Sequence, residues 1–185
     1  MANTNEPIPV RTPGGITVLA GSFTRPADTT PYAINDLVGP TTNAADASLA
    51  TEILNAVSVD GDAFRIERVR LRKSSISLTN ASFRIHIWRA LPSFTGIGDN
   101  GAQGALTALV CASMDHYVDK IDVTMDRASS TAGGYAVGIG APDQGSAIVV
   151  RPSAGTSFWF SIQALAAYTP ASAELFSCAF EGMRA

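Results

Sequence analysis

The segment FRIERVRLRK (64–73) alternates apolar and charged residues, and this period of two constrains the fold more than any other feature. Successive side chains of an extended strand point to opposite faces. Phe64 and Ile66 therefore share one face, and Val69 and Leu71 rejoin it after a slip of one residue. A β-bulge near Glu67–Arg68 accounts for the slip. A helix would scatter these apolar residues around its circumference, so the segment predicts a strand with one face buried.

The same pattern recurs along the chain, broken by Gly, Pro, Asn and Asp at hairpin-like intervals. Strands are expected over 16–23, 32–38, 64–73, 82–90, 117–125, 135–140, 146–151, 157–166 and 174–183. In SFRIHIWRA (82–90), Phe83, Ile85 and Ile87 face inward and Arg84, His86 and Trp88 outward. SFWFSIQALA (157–166) is apolar on both faces, which predicts a strand covered on both sides and places Trp159 in a core. NAADASLATEILNAV (43–57) has the Ala, Leu and Glu content of a short helix, with a long crossing loop as the alternative. Residues 1–15, with Pro7, Pro9 and Pro13, form an extended arm. That arm is either a disordered tail or a strap that drapes Pro7, Pro9 and Val10 over a neighbouring subunit. The expected architecture is all-β: one antiparallel β-sandwich of jelly-roll type over 16–185, with the arm at 1–15. No repeat of 20 to 50 residues is present.

Charge limits the partners. Only 16 % of the 185 residues are charged, against roughly 25 % in soluble proteins generally, and the net charge is −3. A surface this sparsely ionised fits a subunit of an assembly. Direct nucleic-acid binding is not expected, because it needs many clustered Lys and Arg. No apolar run approaches a membrane span or a signal peptide, which predicts a protein made in a cytoplasm. Cys111 and Cys178 are read as buried free thiols.

Catalytic patterns are missing: no G-x-S-x-G, H-E-x-x-H, Walker A or helix-opening G-x-G-x-x-G occurs. No enzymatic activity and no cofactor are therefore expected. The glycines of GGYAVGIGAPDQG (133–145) are read as turn formers. In MDHYVDKID (114–122), strand alternation sends Asp115 and Asp119 to one face and His116 to the other, which predicts a solvated acidic face and no metal site. Likewise GIGDNGAQG (96–104) holds one carboxylate, Asp99, too few for calcium, and Asn100-Gly101 predicts a turn. The sharpest surface feature is basic: Arg65, Arg68, Arg70, Arg72 and Lys73 lie within one strand. Arg70 and Arg72 either pair with the chain's own Asp115, Asp119, Asp122 and Asp126 or dock onto an acidic patch of a partner. Trp88, flanked by Arg84 and Arg89, is read as an interface residue, with the second face of a covered sheet and a carbohydrate-stacking platform as the alternatives.

Three stretches occur in order: PYAINDLVGPTT (31–42), FRIERVRLRKSS (64–75) and FRIHIWRALPSFTGIGDNGA (83–102). They resemble the small jelly-roll decoration, or cement, proteins encoded beside the major capsid protein in many tailed bacteriophages. Tyr32, Asp36, Val38 and Gly39 fill a Y-x-x-x-D-x-[IVL]-G segment. Pro92-Ser93 and Gly98-Asp99-Asn100-Gly101-Ala102 fill a loop pattern that follows a later strand. The resemblance spans about 16–125 and departs at the Ala-rich 41–57. It implies a non-enzymatic virion protein on the outer capsid surface, assembled in the host bacterial cytoplasm. Such a protein bridges major capsid protein subunits and contacts itself as a dimer or trimer, without membrane or nucleic acid. The candidate interface is Pro7, Pro9, Val10, Arg70, Arg72, Trp88, Arg89 and Phe94, with the 92–102 loop as a rim that touches a neighbour. The alternative is a glycan- or host-binding β-sandwich module of a fibre or head appendage.

Overall fold

The computed structural model describes residues 15–41, 49–94, 98–101, 114–129 and 133–185. The interface candidates Pro7, Pro9 and Val10, together with Cys111 and residues 43–48, lie outside them. Among the described residues the strands are β1 (Thr17–Thr24), β2 (Leu37–Val38), β3 (Thr51–Ile53), β4 (Phe64–Lys73), β5 (Ser82–Trp88), β6 (Tyr117–Thr124), β7 (Arg127–Ala128), β8 (Ala136–Gly140), β9 (Ile148–Val150), β10 (Phe158–Ala164) and β11 (Leu175–Arg184). A short 3-10 turn, Asp143–Gly145, precedes β9.

The strands make two antiparallel sheets. One has six strands, in the order β1-β11-β4-β8-β7, with β9 also on β4; the other has five, in the order β2-β10-β5-β6, with β3 also on β10. Pairing is nested: β1 joins β11, β2 and β3 join β10, β4 joins β8 and β9, and β5 joins β6. The chain thus follows one long hairpin folded across two layers. Between the layers lie the inward residues of both sheets, among them Phe64, Ile66, Val69, Leu71, Phe83, Ile85, Ile87, Phe158, Phe160, Phe176 and Phe180. Phe180 meets Phe158 edge-on at 5.2 Å between centroids, and Phe83 meets Phe176 at 5.4 Å. Cys178 is a free thiol buried among these side chains, and burial pushes its pKa well up.

The slip in β4 is a bulge. Glu181 of β11 opposes Arg68 while Gly182 opposes Ile66, so Glu67 has no partner across the ladder. At the same point β4 changes its other neighbour, from β8 at 69–73 to β9 at 64–66. The bulge brings the two backbones so close that a Cβ on Gly182 would lie 1.9 Å from the Arg65 carbonyl oxygen. Only glycine fits there.

Three expectations are corrected. The region 32–38 supplies only the two-residue β2 and an isolated Tyr32–Tyr168 bridge. A turn with Asn35 at φ 75° interrupts it, closed by Ala33 N donating to Asp36 Oδ2 at 2.6 Å. The described part of 43–57 holds strand β3, not a helix, because pairing with β10 and burial of Ile53 outweigh local propensity. Among the glycines of 133–145, Gly133 and Gly145 do take positive φ. Gly138 and Gly140 instead lie within β8, where a Cβ would sit 2.3 Å from the Thr124 carbonyl and 2.5 Å from that of Asp122. Their missing side chains let β8 close against β6.

Candidate docking surface

Two residues that the sequence placed in separate motifs meet at one end of the sandwich. Asp99, in the 98–101 loop, is buried, and Tyr32 Oη donates to its Oδ1. Gly39 N donates to the same oxygen at 2.8 Å, while Arg25 Nη2 reaches Oδ2 at 3.1 Å. Arg25 Nε also donates to Tyr32 Oη at 2.7 Å. Asn100 has φ 59°, as a turn at Asn100-Gly101 requires. With its amide nitrogen facing acceptors it donates to Pro31 O and Asp36 Oδ2, both at 3.0 Å. Burial pushes the Asp99 pKa up, and the Gly39 N–H, Tyr32 and Arg25 offset this only in part. Both carboxylate oxygens are engaged, so Asp99 serves to lock loop 98–101 onto 32–41. Arg25, the cation that makes this possible, was not singled out in the sequence; its partner is distant in the chain and no short motif contains both.

A second buried ion pair stands beside the first. Lys73 Nζ lies 3.2 Å from Glu174 Oε1, both side chains fully enclosed, and Tyr168 Oη donates to Glu174 at 2.6 Å. The Tyr168 ring stacks on Tyr32 at 6.3 Å. Arg25 N donates to Glu174 O at 3.0 Å, tying the two networks together. They hold five chain segments in place.

Trp88 and Phe94 require correction as interface residues, because both are enclosed by their own chain, at 0 % and 2 % exposure. The phase of the strand was right: Trp88 does lie opposite Phe83, Ile85 and Ile87. That second face is roofed, however, by Leu37, Leu49, Ala50 and Phe94, with Met114, Tyr117 and Trp159 at its border. Trp88 Nε1 donates to Ser161 Oγ at 3.1 Å, and its ring meets Tyr117 edge-on at 5.0 Å. Alternation shows which face a side chain takes but not whether another segment covers that face. Trp159, expected in a core, is only half-buried and packs at the border of this second core. His86 is enclosed here too, with Nε2 3.2 Å from Gln163 Oε1 and Nδ1 3.4 Å from Tyr117 Oη. Burial pushes His86 down to about 4 and Tyr117 up to about 12. Arg89 stays exposed and borders a separate recess with Asp115, Tyr117 and Arg151.

The outer face of the six-stranded sheet is different. Arg68, Arg70 and Arg72 project from β4 as one exposed column. The neighbouring β11 and β1 present small groups in the same rows, Ala179 and Ala20 beside Arg70, Ser177 and Ser22 beside Arg72. Internal pairing occurs, but with an acid the sequence reading did not consider. Glu181 of β11 accepts hydrogen bonds from both Arg68 and Arg70. Burial would raise its pKa, and the two arginines outweigh that and hold it below the ordinary value. Asp119 and Asp122 sit on β6, in the other sheet, where Arg84 clasps Asp122 at 2.7 and 2.8 Å. Asp126 pairs with its neighbour Arg127 at 3.7 Å. These aspartates therefore do not serve Arg70 or Arg72.

Arg72 follows a third course. Its guanidinium lies 3.9 Å from the centroid of the Tyr135 ring, and no carboxylate among the described residues pairs with it. Together with Arg70, Arg127, Val137 and Ile139, this pair lines an open groove of about 540 Å³. Among the described residues no group of three or more His, Cys, Asp or Glu is placed to hold a metal ion, and no helix is long and apolar enough to cross a membrane. No protein-family model, no curated protein and no solved structure matches this chain.

Proposed function

We propose that this chain is a non-enzymatic virion structural protein that decorates the outer surface of a phage capsid and cements neighbouring major capsid protein subunits. One observation carries the reading: the two sheets have unlike outer faces. The five-stranded sheet is roofed by its own chain over Trp88. Among the described residues the six-stranded sheet leaves an open outer face, with small residues and exposed Val18 and Leu175 on β1 and β11 and arginines on β4. An open face of this kind can bury a standard interface patch of roughly 800 Å². Its arginines supply steering and register more than raw affinity.

The nested pairing supports a jelly-roll assignment. The orders β1-β11-β4-β8 and β3-β10-β5-β6 are those of a hairpin rolled into two four-stranded sheets, with β2, β7 and β9 as additions. The convergence of Tyr32, Gly39 and Asp99, residues on which the resemblance to decoration proteins rests, is consistent with that fold. Partners in this reading are the major capsid protein and further copies of this chain, as a dimer or trimer, on the outside of the virion.

Co-sedimentation of the purified protein with empty phage shells tests the proposal. Saturable binding at a fixed number of copies per shell is expected. Failure to pellet with shells, together with a signal on a glycan array, would transfer the assignment to a glycan- or host-binding module. That alternative has lost one support, since the Trp88 ring is enclosed.

A further inference from the structure

We propose that the groove between β4, β7 and β8 is a carboxylate-recognition site that takes an aspartate- or glutamate-bearing segment of a partner protein. The inference rests on the docking reading above and deepens it by naming the chemistry of the partner.

The charges around the groove are lopsided. Arg70, Arg72 and Arg127 line it, and among the described residues no Asp or Glu does. Their engagements differ. Arg70 is committed to Glu181, whereas Arg127 is 71 % exposed and holds only a loose 3.7 Å contact with Asp126. Arg72 lies over Tyr135, which fixes the plane of the guanidinium and leaves its N–H edge available. Register brings Arg72 and Arg127 together: both lie opposite Val137, one on each side of β8. Two strand spacings separate their backbones by roughly 10 Å. Both side chains rise from the outer face, so a carboxylate above Val137 can accept from two guanidinium groups at once.

Apart from Ser129, the rest of the described groove lining is largely apolar. Val137, Ala128 and the 45 %-exposed Ile139 form its floor and wall, beside the Tyr135 ring. Such a surface accepts the methylene groups of a Glu or an adjoining aliphatic side chain. A nucleic acid is a poorer fit, because it needs a track of free cations along a backbone. Here the neighbouring arginines are partly neutralised, Arg68 and Arg70 sharing Glu181 and Arg65 pairing with Glu67 at 2.7 Å. What remains is a pair of guanidinium groups, Arg72 and the loosely held Arg127, beside an apolar wall.

The test is a titration of the full-length protein followed through its arginine Nε–H resonances. Poly-L-glutamate, inorganic phosphate and a thymidine oligonucleotide serve as separate probes at one ionic strength. Poly-L-glutamate is expected to shift Arg72 and Arg127 selectively, leaving Arg65 and Arg151 in place. Arg72→Gln and Arg127→Gln should each weaken that binding roughly tenfold with an unchanged melting temperature, the loss of one desolvated charge pair. Equal shifts at all exposed arginines, or a response to phosphate or oligonucleotide with none to poly-L-glutamate, would overturn the inference. Saturable shell binding that persists in the Arg72→Gln/Arg127→Gln double variant would overturn it while leaving the capsid reading intact. Selective poly-L-glutamate binding without shell binding would support the site and count against the capsid reading alone.

Discussion

Asp99→Ala would strip buried Arg25 of its enclosed counter-charge and leave it only the partly exposed Asp28 at 3.2 Å. Losing one member of a buried, hydrogen-bonded pair typically costs about 3–5 kcal/mol, far more than an exposed ion pair contributes. Asp99→Ala is therefore expected to lower the urea midpoint sharply, whereas Arg127→Gln, at an exposed pair, leaves it nearly unchanged. Trp88→Ala belongs to the same class, with an expected loss of about 3–5 kcal/mol for an enclosed aromatic ring. A Trp88→Ala protein of unaltered stability that failed to bind a partner would restore Trp88 to the interface. His86 provides a pH signature. Its pKa is pushed by burial from 6.5 to about 4, so the folded state binds a proton more weakly than the unfolded chain. The stability lost should accumulate as pH falls from about 6.5 towards 4, reaching on the order of 3 kcal/mol. The His86 Cε1–H resonance should titrate near 4, and a midpoint near 6.5 would contradict this. Tyr32 and Asp99 stood out in the sequence because they sit in compact motifs; Arg25 and Glu181 did not, because their partners are brought to them only by the fold.

At the level of strands, period two was the most informative signal, and it worked best where one face is buried and the other wet. β4 has the bounds that FRIERVRLRK predicts, and the bulge falls where the apolar phase slips. The signal failed at short elements. β3 and β7, with three and two residues, are too brief to show a period and exist because long neighbours offer free hydrogen-bonding groups. Nor could alternation reveal the roof over Trp88, which comes from residues distant in sequence. Close approach of backbones was equally hidden. Gly182→Ala would force its Cβ into the Arg65 carbonyl, so the bulge must open or shift. The expected cost is about 2–4 kcal/mol, in the range of backbone strain combined with lost ladder bonds. Thermal unfolding of that variant checks the expectation, and an unchanged melting temperature would show that the bulge relaxes freely.

Across the whole molecule, charge and cover are distributed unevenly between the two layers. One sheet spends its outer face on a second core of its own; the other holds an arginine column over small side chains, with Arg72 poised on Tyr135. The fold class was readable from alternation and turn residues, and the basic strand was readable as a surface feature. Which outer face stays open was not, because that depends on which face the chain itself covers. The most direct measurement is the orientation of the bound protein, from electron cryomicroscopy of shells saturated with it. The six-stranded sheet should face the shell, with the groove of Arg72, Arg127 and Tyr135 over capsid density. A map with that sheet turned to solvent and the five-stranded layer against the shell would contradict the account.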